Sequence, residues 1–146
     1  MHKGGYNGVD MNKKVRWVTL LLVITLFASC RVPAEKIALD KTRSYILSMD
    51  NQDVHTQMKL LEAFSPKREA IESFLSYVIE AKERSLQVAY EDKQVIIVRA
   101  HFLLRLSEEY PSDGGFQPGA NEVTRYFAYY KNRDMQLREI LEKLIK

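Results

Sequence analysis

Three histidines and one cysteine are the side chains of this 146-residue chain best suited to nucleophilic, metal or proton-transfer chemistry: His2, His55, His101 and Cys30. Their spacing offers catalysis little. A zinc protease needs paired histidines on one helical turn, and a structural zinc site needs further thiolates or imidazoles. The chain has no His-Glu-x-x-His and no second cysteine. The Glu-x-x-His pairs of carboxylate-bridged di-iron bundles are missing too, as are a Gly-x-Ser-x-Gly elbow and a phosphate-cradling loop. His101, beside Phe102 in an apolar run, reads as a core or boundary histidine, and His55 as a surface residue. The carboxylate pairs Glu69/Glu72, Glu80/Glu83 and Glu139/Glu142 are interleaved with Lys67, Arg68, Lys82, Arg84, Arg138 and Lys143, the pattern of solvated helix faces. We therefore expect no catalytic residue, metal or cofactor.

Cys30 carries more meaning through its surroundings. Lys13, Lys14 and Arg16 precede an uncharged run, Trp17 to Phe27, followed by Ala28, Ser29 and Cys30. This is the layout of a secretory signal peptide. The uncharged stretch from Trp17 to Ser29 is 13 residues, short of the roughly 20 that span a bilayer. Phe27-Ala28-Ser29-Cys30 resembles the lipobox of bacterial lipoproteins, although Phe27 stands where the family favours an aliphatic residue. The resemblance covers only the first 30 residues. It implies acylation of the Cys30 sulfur and cleavage before it, leaving residues 1–29 as signal peptide and 30–34 as a lipidated tether. It also implies a place in the bacterial cell envelope. Arg31 is not the aspartate that retains lipoproteins in the inner membrane of some Gram-negative bacteria, so the outer membrane is expected there. Signal peptides seldom open with a Gly-rich leader such as residues 2–10, so translation is expected to begin at Met11, giving Met-Asn-Lys-Lys.

Charge excludes one class of partner. The net charge of +3 is concentrated at the front: Lys3, Lys13, Lys14 and Arg16 precede Cys30 and only Asp10 opposes them. Of 22 basic and 19 acidic residues, 18 of each remain from Arg31 onward. A nucleic-acid binder needs a surplus of cations, so no nucleic-acid partner is expected, nor a polybasic grip on anionic lipid.

The elements that would position these residues read as helices. Ile37, Tyr45, Ile46 and Leu47 predict a first helix ending between Ser48 and Gln52; Met58 to Phe64 predict a short second one. Ser65-Pro66 marks a restart. Ile71, Phe74, Leu75, Val78, Ile79, Leu86 and Tyr90 form one stripe at spacings of three, four and seven. Val95 to Val98 has strand propensity, but the apolar pattern continues to Leu106, favouring a buried helix. Residues 111–119 are dense in Pro and Gly and predict a loop. Val123, Tyr126, Phe127, Tyr130, Leu137, Leu141 and Leu144 complete a last stripe. The reading is an all-α fold: a single domain over 35–146, a small helical bundle of about four to six helices following the signal peptide.

On that fold Tyr129 points away from Tyr126, Phe127 and Tyr130, bracketed by Arg125 and Arg133. Exposed tyrosine beside arginine favours protein contacts, so Arg125, Tyr129 and Arg133 are the expected interface. Residues 100–111 also faintly resemble the second helix of a tetratricopeptide repeat, in one partial unit. The leading expectation is a non-enzymatic, lipid-anchored protein-binding or assembly module with an envelope protein partner. The alternative is a small-ligand-binding or enzymatic domain with a pocket between helices.

Overall fold

A computed structural model describes residues 32–112, 115–132 and 134–144. The expected signal peptide, Cys30 and Arg133 lie outside the described residues. Three helices come first: α1 (Ala34–Asp50), α2 (Val54–Leu60) and, after a 3-10 turn at Glu62–Phe64, α3 (Arg68–Ser76). Four strands follow: β1 (Val78–Glu91), β2 (Val95–Leu106), β3 (Gly119–Tyr130) and β4 (Gln136–Leu141). They form one antiparallel meander in the order β1-β2-β3-β4.

The all-α bundle is thereby overturned. Strand makes up 40% and helix 33% of the described chain, so the fold is α+β, with the helices on one face of a sheet. The first two helices fall where the apolar spacing placed them. The third stops at Ser76, and the remainder of its supposed stripe, from Val78 to Glu91, is β1.

Period two organises the sheet. In β2, Ile96, Val98, Ala100, Phe102, Leu104 and Leu106 are all buried, while Arg99 and Arg105 point to solvent from the opposite face, as alternation in a strand requires. β2 pairs with β3 through twelve consecutive rungs, from Val95↔Tyr130 to Leu106↔Gly119. This places Val123, Phe127 and Tyr129 on the same covered face, beside β2's buried row. β1 is an edge strand with register shifts at Val78/Glu80, Glu83/Ser85 and Val88/Tyr90. Bulges and charged residues are the usual means of blunting such an edge.

The covered face packs against α1, which buries Ala38, Thr42, Ile46 and Met49. Two helix-derived groups tie α1's C-terminal end to β1: Asp50 Oδ1 accepts from Ala81 N at 2.8 Å, and Gln52 Nε2 donates to the Val78 carbonyl at 2.9 Å. Arg43 adds an ion pair with Glu83 at 2.9 Å. Polar groups inside this layer are satisfied. Gln57 Nε2 reaches the Tyr45 carbonyl and Ser48 Oγ, and no buried side-chain N or O among the described residues lacks a partner.

Asp92 closes the β1–β2 turn. Its Oδ1 accepts from the amides of Gln94 and Val95 at 2.7 and 2.8 Å, and these bonds hold its carboxyl below the usual carboxylate range. Asn121, near the start of β3, pins the preceding loop. Its Oδ1 accepts from Gln117 N while its Nδ2 donates to the carbonyls of Gln117, Gly119 and Leu104.

Candidate functional site

The face between α1 and the sheet is filled at one end and open at the other. At the filled end Tyr129 is 0% exposed, with its hydroxyl 2.8 Å from Thr42 Oγ1. Thr42 has one hydroxyl proton and gives it to the Ala38 carbonyl at 2.9 Å, so Tyr129 is the donor in the Tyr129–Thr42 bond. Burial pushes the Tyr129 phenol well above its ordinary pKa. The expected exposure of Tyr129 is corrected here. Successive residues of β3 alternate between faces, so Tyr129 shares the covered face with Phe127 and Arg125, and Tyr130 is the exposed one at 41%. Tyr129 belongs to the domain's interior layer, and Arg125 lies on the same face of the sheet but is partly exposed.

One α-helical turn along, the two layers part. A pocket of about 190 Å³ opens between them, lined by Tyr45 and Met49 of α1, Phe74 of α3, Phe102 and Leu104 of β2, Val123, Arg125 and Phe127 of β3, Phe116 from the loop, and Ile140 of β4. Its walls are mostly apolar. Tyr45 meets Phe127 edge to face, 5.1 Å between ring centroids, a favourable aromatic geometry.

Two polar groups interrupt that wall. Arg125 occupies an inward position of β3 that the alternation would otherwise give to an apolar residue. Its guanidinium lies 5.5 Å from the Phe116 ring centre, donates to the Thr124 carbonyl at 3.0 Å and pairs with the exposed Glu142 at 3.3 Å. Tyr45 contributes its backbone carbonyl to Ser48 and Gln57, but its hydroxyl has no hydrogen-bond partner among the described residues. Burial raises the Tyr45 pKa and the Arg125 charge opposes that rise, which places the two groups within electrostatic reach of each other.

The other predicted residues lie elsewhere. His101 is on the opposite face of the sheet, its Nδ1 3.2 Å from Thr124 Oγ1 and its Nε2 3.3 Å from Glu122. His55 is exposed on α2. Glu80 and Glu83, read as one helical face, point to opposite faces of β1, towards Arg105 and Arg43 respectively. Among the described residues no three of His, Cys, Asp and Glu are grouped to hold a metal ion, and no helix is long and apolar enough to cross a membrane. Sequence reasoning missed Tyr45 and misplaced Arg125; the available signal was an arginine in register with Val123, Phe127 and Tyr129 at period two.

No family model matches the chain, nor does any curated protein or solved structure.

Proposed function

We propose that this protein is a bacterial envelope lipoprotein, lipidated on Cys30, whose domain binds rather than catalyses. The pocket between α1 and the sheet receives a compact apolar group that carries a carboxylate. The observation that supports this is the pairing, in one mostly apolar cavity, of a guanidinium with a phenolic hydroxyl that no described residue engages. Binding pockets are mostly apolar with a few polar groups that fix orientation, and arginine is the side chain best shaped for a carboxylate. The size limits the occupant. At about 190 Å³ the pocket lies below the roughly 300–1,000 Å³ of drug-sized sites and slightly above the roughly 150 Å³ cavity that holds benzene. An incoming carboxylate replaces Glu142 at Arg125, so the exchange keeps the cation paired. Such a group comes either as a small aromatic or branched-chain acid, or as the apolar C-terminal residue of an envelope protein.

The test is thermal denaturation of the detergent-solubilised lipoprotein with phenylacetate, with phenylacetamide, and with short peptides ending in Phe as free acid or amide. Stabilisation by the acids alone, lost in Arg125→Met, supports the reading. Response to the free-acid peptide but not to phenylacetate identifies a protein C-terminus as the source. Equal response to acid and amide overturns the carboxylate assignment. The anchor is tested separately: Cys30→Ser should leave an uncut precursor that takes up no labelled fatty acid, and normal labelling of that variant ends the lipoprotein reading.

A further inference from the structure

We propose that the end of the sheet formed by the β1–β2 and β3–β4 turns is the membrane-facing end of the protein, and that it rests on the headgroup layer of the bilayer through Tyr90 and Tyr130. This inference rests on the lipidation of Cys30.

Covalent geometry sets the distance. α1 begins at Ala34, four residues after the cysteine that would carry the lipid, and a fully extended chain covers no more than about 3.6 Å per residue. The start of α1 is therefore held within about 14 Å of the anchor.

Packing then decides which end of the sheet lies there. Thr42 meets Tyr129 and Tyr45 meets Phe127, so α1 runs opposite to β3. From Thr42 back to Ala34 the helix advances about 12 Å, towards and past Tyr130, where β3 ends. Lys41 Nζ confirms the direction by reaching the Met135 carbonyl in the β3–β4 turn at 2.9 Å. The rung Val95↔Tyr130 brings the β1–β2 turn to the same end, and the amide of Lys131 joins the two turns by donating to the Gln94 carbonyl at 2.8 Å.

The chemistry of this end suits a headgroup layer. Tyr90 and Tyr130 are 47% and 41% exposed, and tyrosine favours the membrane–water interface, where its ring and hydroxyl are both accommodated. Lys93, Lys131 and Arg138 line one shallow groove with Tyr130. Lys131 is taken by Glu91 at 2.6 Å; Lys93 and Arg138 form no ion pair with any described residue. The acids nearby are engaged: Glu91 by Lys131, and Asp92 by backbone amides and the Tyr90 hydroxyl. Asp134 offsets Lys41, and Glu139 lies 3.5 Å from the Tyr130 hydroxyl. A carboxylate that accepts hydrogen bonds keeps its charge, so Asp92 and Glu139 balance Lys93 and Arg138, and the two exposed tyrosines carry the affinity for the headgroup layer. The pocket's Phe116, in the loop before β3, belongs to the opposite end, so the orientation leaves the binding site facing water.

The lipidated mature protein contains no tryptophan, because Trp17 precedes Cys30, so single-tryptophan reporters are unambiguous. Tyr130→Trp and, independently, Tyr90→Trp report the turn end; Glu109→Trp reports the far end. Each lipoprotein is reconstituted into phosphatidylcholine vesicles containing phosphatidylglycerol, with brominated acyl chains as quencher. We expect both turn-end reporters to shift to the blue and lose most of their emission. Glu109→Trp should be unaffected. Equal emission from the two ends, with labelled fatty acid present on Cys30, overturns the docking and leaves the lipoprotein reading intact. Failure of Cys30 to take up label overturns both.

Discussion

Tyr129 and Tyr45 sit about a helical turn apart in the same layer between α1 and the sheet, yet they do different things. Both are covered enough for burial to raise the phenol pKa. Tyr129 gives its hydroxyl proton to Thr42, whose own proton goes to the Ala38 carbonyl, so that end of the layer is closed and internally satisfied. Tyr45 keeps a hydroxyl with no described partner, in a pocket of about 190 Å³ that Arg125 also lines. The difference separates what holds this fold from what is available to a ligand. A buried hydroxyl that is satisfied specifies packing; on the proposed reading, an accessible one without a described partner, lining an open space with a cation, is where a ligand would be met.

The largest effect is expected where the two ends join. Phe127 is fully buried and stacks edge-on against Tyr45. Phe127→Ala should cost about 3–5 kcal/mol, read from urea midpoints at constant slope. A cost near 1 kcal/mol would mean that α1 can collapse onto the sheet, and that the closed and open ends are not rigidly distinct.

The closed end is tested next. Thr42→Val leaves the buried Tyr129 hydroxyl without its acceptor, a loss of about 1–3 kcal/mol. Adding Tyr129→Phe should recover most of it, because removing both partners of a buried hydrogen bond is nearly neutral. If Thr42→Val melts like the wild type, the satisfied pair is not what closes that end.

Alkaline pH sharpens the same comparison. A phenol whose folded pKa is raised contributes stability that is fully present below its unfolded value of 10.0 and is lost as pH rises through the folded value. Lys41 acts in the opposite sense, since burial lowers its pKa, so the native state gains stability there as pH rises towards 10.5. Melting temperature should therefore be followed from pH 8 to 11 in the wild type and in Tyr129→Phe. The difference between the two should shrink as pH climbs past 10. A difference constant with pH would show that Tyr129 titrates as if exposed.

How far the sequence foretold this layer depends on the element. α1 and α2 were legible because their apolar spacing and short breaks match a helix. The sheet was hidden twice. In β1, Glu80, Ala81, Lys82, Glu83, Arg84, Leu86 and Gln87 are strong helix formers, and pairing along β2 overrides that preference, as tertiary context does for propensity in general. In β2, Val95, Ile97 and Leu103 fill the outward positions with apolar residues. The alternation marked by Arg99, His101 and Arg105 was thus submerged in what looked like one continuous buried run. Reading β3 with a period of 3.6 instead of 2 turned Tyr129 outward and Tyr130 inward, the reverse of their places. The pocket was beyond reach for another reason. Its two polar groups stand 80 residues apart, at 45 and 125, and only the packing of α1 across the meander brings them to one cavity.

The smallest effect on stability, and the most pointed test, belongs to the open end. If the Tyr45 hydroxyl has no partner, Tyr45→Phe removes no hydrogen bond and keeps the ring against Phe127. The stability change should then stay within about 0.5 kcal/mol, or be slightly favourable. Its cost should appear only when the pocket is filled. A hydrogen bond to a charged acceptor contributes about 1.5–3 kcal/mol, so affinity for an apolar carboxylate should fall about tenfold or more. Calorimetric titration with phenylacetate, together with urea denaturation of the unliganded variant, separates the two readouts. A destabilised Tyr45→Phe that binds as before would show the hydroxyl to be a structural group like that of Tyr129. A stable Tyr45→Phe with weakened binding would establish that the two tyrosines divide fold from site.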